Sequence, residues 1–89
     1  MSSILGYIVQ QLDEDSIVPF EGPKKLHTVF SEALRVANSL YTSYMDAYPE
    51  EDYGPYEIYK PSKKQADEQG TVPVFKGSMY HVSITCITK

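Results

Sequence analysis

The stretch Phe30–Tyr48, FSEALRVANSLYTSYMDAY, carries the clearest pattern in the chain. Its apolar residues recur at helical spacing and fall on one continuous stripe when successive residues are rotated by about 100°. Polar residues such as Glu32 and Arg35 fall on the opposite side. The pattern predicts one long amphipathic helix whose buried face packs on a sheet. The apolar stripe consists of Phe30, Ala33, Leu34, Ala37, Tyr41, Tyr44, Met45 and Tyr48.

Local signals predict both ends of this helix. Thr28 and Ser31 are both candidate N-caps, because a side-chain hydroxyl can accept a hydrogen bond from a free N–H in the first turn. Thr28 is the better candidate, since it places Phe30 in the first turn and on the apolar stripe. Pro49 cannot continue a helix and disfavours helical geometry in the residue before it, so we expect the helix to end near Ala47.

Two clear strand patterns flank the predicted helix. Ile4–Leu12 is rich in β-branched and aromatic residues and is too short for a typical helix. Met79–Thr88 alternates apolar and polar residues, which is typical of a strand with one buried face. Its length predicts a central strand or a long hairpin strand. The predicted buried face consists of Tyr80, Val82, Ile84 and Cys86.

Three shorter segments are weaker strand candidates, namely Ile17–Phe20, Tyr56–Lys60 and Thr71–Phe75. Pro19 and Pro73 cannot donate a hydrogen bond to a neighbouring strand. Proline inside a strand is therefore expected at the edge of a sheet.

Two polar segments connect these elements. Pro49–Pro55 combines prolines, a glycine and consecutive acids, which predicts a loop. Ser62–Gly70 is almost wholly polar, and two alternatives stay open for it: a solvated helical turn capped by Ser62, or disorder.

The element order predicts an α+β fold formed by one compact domain over residues 1–89. We expect one long amphipathic helix on a small mixed or antiparallel sheet of about three to five strands. The expected order is β-(β)-α-β-β-β, where the second strand is Ile17–Phe20.

Composition limits the classes of function. The formal net charge is −4 and the isoelectric point is about 5.0, so the chain lacks the positive field that attracts proteins to nucleic acid or anionic membranes. No signal-peptide pattern and no apolar run of about 20 residues is present. One cysteine, Cys86, excludes an internal disulfide. We expect an intracellular protein, cytoplasmic or nuclear, without membrane or nucleic-acid partners.

Chemical motifs are absent from the sequence. His27, His81 and Cys86 show no metal-ligand spacing, so we expect surface histidines and a buried, unreactive thiol. The acids Glu50–Asp52 do not fit a calcium-binding loop. No nucleophile motif and no glycine-rich phosphate loop occurs. The sequence therefore favours a non-enzymatic role without a cofactor.

Tyrosine is the most unusual residue of the chain, with eight tyrosines among 89 residues. Tyr7, Tyr41, Tyr44 and Tyr80 are typical of a small core that uses aromatic rings as bulk. The tyrosines from Tyr48 to Tyr59 lie beside an acidic segment, and tyrosine is enriched at protein interfaces. The candidate interaction surface consists of Tyr48, Glu50, Glu51, Asp52, Tyr53, Tyr56 and Tyr59.

These patterns predict a protein-interaction module whose partner is a protein, with self-association as an open alternative. The alternative hypothesis is that the chain is a small-molecule-binding protein or a minor enzyme. It would use a pocket between helix and sheet, with tyrosine hydroxyls and a histidine as polar groups.

The order of motifs also resembles a known group of proteins. The segments YIVQQ, FSEALRVAN, GTVPVF and MYHVSITC follow one another as in a group of small, uncharacterised single-domain fungal proteins. The resemblance implies a compact α+β domain in an intracellular setting. It implies no activity and no site residues.

Overall fold

The structure is a computed structural model that describes residues 3–13, 25–77 and 79–88. The described part of the chain begins and ends with its two longest strands, and the helices and the shorter strands lie between them. The elements are β1 (Ile4–Asp13), α1 (Phe30–Ala47), α2 (Glu50–Tyr53), β2 (Glu57–Ile58), α3 (Lys63–Gln69), β3 (Thr71–Lys76) and β4 (Tyr80–Thr88).

The four strands form one antiparallel sheet in the order β1-β4-β3-β2. The central position predicted for the last strand is confirmed, because β4 lies between β1 and β3. Ile84 lies opposite Val9 on one side and opposite Val72 on the other. The α+β class is therefore confirmed, and of the two sheet types expected the antiparallel one is found.

The prediction of a single long helix is wrong. α1 covers 18 residues of the expected stretch and ends at Ala47 as expected, but two short helices follow it. α2 lies inside Pro49–Pro55, which was predicted to be a loop. α3 lies inside Ser62–Gly70, where the helical alternative capped by Ser62 is the one found. The element order therefore differs from the expected one, and Ile17–Phe20 lies outside the described residues. Short helices are specified by caps and first-turn charges, which a search for an apolar stripe does not detect.

The expected caps of α1 are also wrong. The N-cap is Val29, and no side chain makes a capping hydrogen bond there. Burial defines this end of the helix instead. Phe30 is buried, and its ring lies edge-on against Tyr7 of β1 with the centroids 5.3 Å apart.

The hydrophobic core lies between α1 and one face of the sheet. Phe75 of β3 is at its centre, where its ring stacks on Tyr41 at 5.3 Å and meets Tyr44 edge-on at 5.9 Å. α3 packs on the same face, because its Ala66 is buried in the same cluster. The buried members are Tyr7, Phe30, Ala33, Ala37, Ala66, Val72, Val74, Phe75, Tyr80, Val82 and Ile84.

Pro73 does not lie in an edge strand, contrary to the prediction. β3 is paired on both sides, but β2 is only two residues long and pairs with Phe75 and Lys76. The register of β3 against β4 shifts between Pro73 and Phe75. The missing N–H of Pro73 is thus accommodated by a bulge and by the shortness of the neighbouring strand.

Candidate functional site

The predicted surface residues gather around the C-terminal end of α1. Tyr48 is the C-cap residue of α1, and Tyr53 is the last residue of α2. The two residues are 42% and 40% exposed. The segment between them is short enough that α2 folds back beside the end of α1.

The structure brings the rings of Tyr48 and Tyr53 together. Their centroids are 5.1 Å apart and the planes meet at 87°, an edge-to-face arrangement. On its other side, Tyr48 lies 4.9 Å from the ring of half-buried Tyr44. Tyr44 in turn stacks on buried Tyr80 at 4.4 Å. A chain of aromatic contacts therefore connects the exposed pair to the core, which fixes the orientation of Tyr48.

Tyr56 supports the ring pair of Tyr48 and Tyr53 from the side of the core. It is half-buried, and its hydroxyl donates a 2.6 Å hydrogen bond to the Tyr48 carbonyl oxygen. Its backbone N–H donates to a Glu50 side-chain oxygen at 3.1 Å. Its ring lies 5.2 Å from Phe75. Tyr56 and Glu50 thus hold the turn between α2 and β2, with Tyr56 half-buried and Glu50 exposed.

The remaining acids of α2 point into solvent. Glu51 and Asp52 are exposed, and neither forms an ion pair with any described residue. Both lie in the first turn of α2, where negative charge interacts favourably with the helix dipole. The outer part of the surface therefore combines two oriented rings with two uncompensated carboxylates.

Tyr59 belongs to a different feature of the molecule. Its hydroxyl donates to the Glu57 carboxylate, and this hydrogen bond raises the pKa of Tyr59 above its usual value. The ring lines an open cleft of about 250 Å³ between α3 and β3. The cleft is lined by Tyr59, Lys60, Pro61, Gln65, Gln69, Val72 and Pro73. The small-molecule hypothesis expected a histidine in such a pocket, and none of the described residues that line the cleft is a histidine.

A polar cluster between β1 and α3 was not predicted. The Tyr7 hydroxyl donates to Asp67 Oδ1 at 2.7 Å, and Lys63 Nζ contacts Asp67 Oδ2 at 2.7 Å. Lys63 and then Tyr7 hold the pKa of Asp67 below its usual value. Burial, followed by the hydrogen bond to Asp67, raises the pKa of Tyr7. The only signal in the sequence was the need of a buried tyrosine for a hydroxyl partner.

Cys86 lies beside this cluster. Its Sγ is 3.9 Å from Asp67 Oδ1. The residue is half-buried and not fully buried as predicted, and it lies near the end of β4, where burial along the strand decreases. Burial is the main cause that raises the pKa of the thiol, and the Asp67 charge adds to it. A raised pKa lowers the thiolate fraction, so the cluster does not activate a nucleophile.

His27 is buried, which contradicts the prediction of a surface histidine. The Tyr7 N–H donates to the His27 carbonyl oxygen at 2.7 Å, and the His27 N–H donates to the Tyr7 carbonyl oxygen at 2.8 Å. This backbone pairing accompanies the burial of the His27 side chain. Its Nδ1 has no hydrogen-bond partner. Among the described residues, no group of three histidine, cysteine, aspartate or glutamate side chains is placed to hold a metal ion.

Two further findings concern the molecule as a whole. None of the helices in the described part of the chain combines the length and apolar character needed to cross a membrane. Comparison of the chain with protein-family models, curated proteins and solved structures finds no match.

Proposed function

We propose that the protein is a small non-enzymatic protein-interaction module that binds its partner through Tyr48, Tyr53 and the acids of α2. One observation supports this proposal above the others. Tyr48 is 42% exposed, although its ring is held between Tyr44 and Tyr53. Exposed aromatic rings that are already oriented are typical anchors of protein interfaces.

The orientation of the rings matters because ordering a side chain on binding costs free energy. An immobilised flexible side chain costs about 0.5–1.5 kcal/mol at an interface. The contacts with Tyr44 and Tyr53, and the hydrogen bond from Tyr56 to the Tyr48 carbonyl, order this region before a partner arrives. Most of the affinity is therefore assigned to the rings.

The charge of the surface indicates the chemistry of the partner. Glu51 and Asp52 are exposed and lack ion-pair partners in the described part of the chain. A complementary partner presents an apolar side chain flanked by lysine or arginine. Exposed acids of this kind mainly raise the association rate, and salt screens their effect. Docking of this surface on the same surface of a second copy would place acids against acids, so a basic partner is favoured over that form of self-association.

A displayed library of random peptides, selected against the immobilised protein, tests the proposal. We expect selected peptides to carry an apolar residue between basic residues. The variant Tyr48→Ala/Tyr53→Ala should weaken their binding about tenfold or more. The matched control is Leu5→Ala/Val29→Ala, which removes two side chains of 46% and 53% exposure elsewhere.

The carboxylates are tested separately. Glu51→Gln/Asp52→Asn should slow association at low salt and have little effect at about 1 M salt, where the screening length is about 3 Å. Circular dichroism and urea unfolding establish that each variant is folded, and Tyr53→Ala alone replaces the double variant if that variant unfolds. The proposal fails if no basic peptides are selected, or if the tyrosine and control variants bind them equally.

A further inference from the structure

The cleft between α3 and β3 is a consequence of the short strand β2. β2 pairs with Phe75 and Lys76, and just after it the Tyr59 N–H donates to the Val74 carbonyl oxygen at 2.8 Å. Beyond that bond, no strand of the described residues pairs with this edge of β3 at Val72 and Pro73, and the chain leads into α3. The gap that this leaves has a volume of about 250 Å³.

The lining of the cleft has an apolar floor and a rim of hydrogen-bond donors. Val72 and Pro61 are buried, and Pro73 adds a third apolar surface. On the rim, Gln65 Oε1 accepts a hydrogen bond from the Ser62 N–H at 2.9 Å. The side-chain N–H groups of Gln65 therefore remain available to donate to a ligand. Lys60 adds an ammonium group that has no ion-pair partner among the residues described.

The residues that line the cleft also determine the sign of the charge that it presents to a ligand. Among the described residues that line the cleft, Lys60 is the one charged residue, and none carries a carboxylate. The nearby carboxylate of Glu57 accepts the Tyr59 hydroxyl, and that of Asp67 is paired with Lys63. The amide of Gln69 completes a rim that can donate hydrogen bonds to an anion.

We propose that this cleft binds a carboxylate attached to a small apolar body. The carboxylate would accept hydrogen bonds from Lys60 and from the amides of Gln65 and Gln69, while the apolar body would lie on Val72 and Pro73. A charge-assisted hydrogen bond to a lysine is stronger than a neutral one, which favours a carboxylate over an amide.

The volume limits the size of the ligand. A space of about 250 Å³ equals about eight water molecules at liquid density, and it is smaller than the range of about 300–1,000 Å³ typical of larger ligands. A body of about ten non-hydrogen atoms, such as phenylacetate, is therefore the upper limit. The same chemistry is offered by a free carboxylic acid and by the C-terminal residue of a peptide.

Phenylacetate is the probe, and the measurement is a ¹⁵N nuclear magnetic resonance titration up to about 20 mM. We expect saturable shifts at the backbone amides of Gln69 and Val72. Phenylacetamide, which has the same shape without the charge, should bind at least about threefold more weakly. Lys60→Gln should weaken phenylacetate binding about three- to tenfold. Lys64→Gln makes the same charge change outside the cleft and should change binding less than about twofold.

A second titration distinguishes the two sources of carboxylate. The peptide Ala-Ala-Phe with a free C-terminus is compared with the same peptide amidated at its C-terminus. Binding of phenylacetate alone supports a free acid as the ligand, and binding of the free but not the amidated peptide supports a C-terminal residue. The inference is overturned if neither carboxylate shifts the cleft amides, if phenylacetamide binds as well as phenylacetate, or if Lys60→Gln and Lys64→Gln have equal effects.

Discussion

The helices α1 and α3 pack on the same face of the sheet and differ in what stabilises them. α1 has 18 residues and no side-chain cap at Val29, and its first residue, Phe30, is buried in the core. α3 has 7 residues and buries only Ala66. Its start carries a complete capping box, in which the side chains of Ser62 and Gln65 each accept the other's backbone N–H.

The difference shows two ways of making a helix in a small protein. A long helix gains stability from the apolar area that one face buries, so its ends need no particular side chain. An isolated helix of two turns is unstable in water. α3 therefore depends on its caps and on the bond from the Tyr7 hydroxyl to Asp67. Changes that remove burial should affect α1 most, and changes that remove local hydrogen bonds should affect α3.

The largest effect is expected for Phe30→Ala. Phe30 is 7% exposed, and emptying such a site costs about 3–5 kcal/mol of unfolding free energy. Val29→Ala changes a neighbouring side chain that is 53% exposed, and it should cost less than about 0.5 kcal/mol. Urea unfolding measures both. Similar values for the two variants would mean that burial does not hold the start of α1.

The next effect is expected at the end of α3. Gly70 has a φ of +83°, and a Cβ built there meets no atom within 4 Å. Gly70→Ala should therefore cost about 1–2 kcal/mol through backbone strain alone, without a steric clash. Urea unfolding measures the loss. A more stable variant would show that this end of α3 adopts a different backbone conformation.

A smaller effect is expected for the cap of α3. Ser62→Ala removes the acceptor of the Gln65 N–H, 3.2 Å away, and should cost about 1 kcal/mol. Thr28 precedes the start of α1, which has no side-chain cap. Thr28→Ala should therefore change the free energy of unfolding by less than about 0.5 kcal/mol. Amide hydrogen exchange should show faster exchange confined to α3. Equal effects at both helices would contradict the comparison.

The smallest effect is expected for Asp67 and depends on pH. Lys63 and Tyr7 lower the pKa of Asp67 in the folded state, while an unfolded aspartate titrates near about 3.9. The unfolded chain therefore binds the proton first, and the stability from Asp67 is lost as the pH falls through the folded pKa. Wild type should exceed Asp67→Asn in stability at pH 7, with a difference that shrinks in acid.

Urea unfolding at several pH values checks this last expectation. Glu68→Gln on the same helix makes the same charge change without touching the cluster, since Glu68 forms no ion pair with any described residue. A difference between wild type and Asp67→Asn that stays constant down to about pH 2.5 would show that Asp67 makes no stabilising contact as a carboxylate.

For the candidate site, the sequence predicted a single surface, whereas the structure places its residues in different roles. Exposed acids after α1 and a group of tyrosines could be read from residues 48–59. The edge-to-face pair of Tyr48 and Tyr53, the supporting position of Tyr56 and the separate position of Tyr59 could not. These roles depend on the direction in which α2 folds back, and no local pattern in the segment encodes that direction.

The sequence by itself determined the α+β class, α1 with its end at Ala47, and the buried face of β4 from Tyr80 to Ile84. Each depends on periodicity or on contacts within a few residues. Only the tertiary structure decided the strand order, the interior position of Pro73, the burial of His27 and the bond between Tyr7 and Asp67. These features join groups that are distant in the chain. They exist because burial of one shared core selects one arrangement among many that satisfy the local patterns equally well.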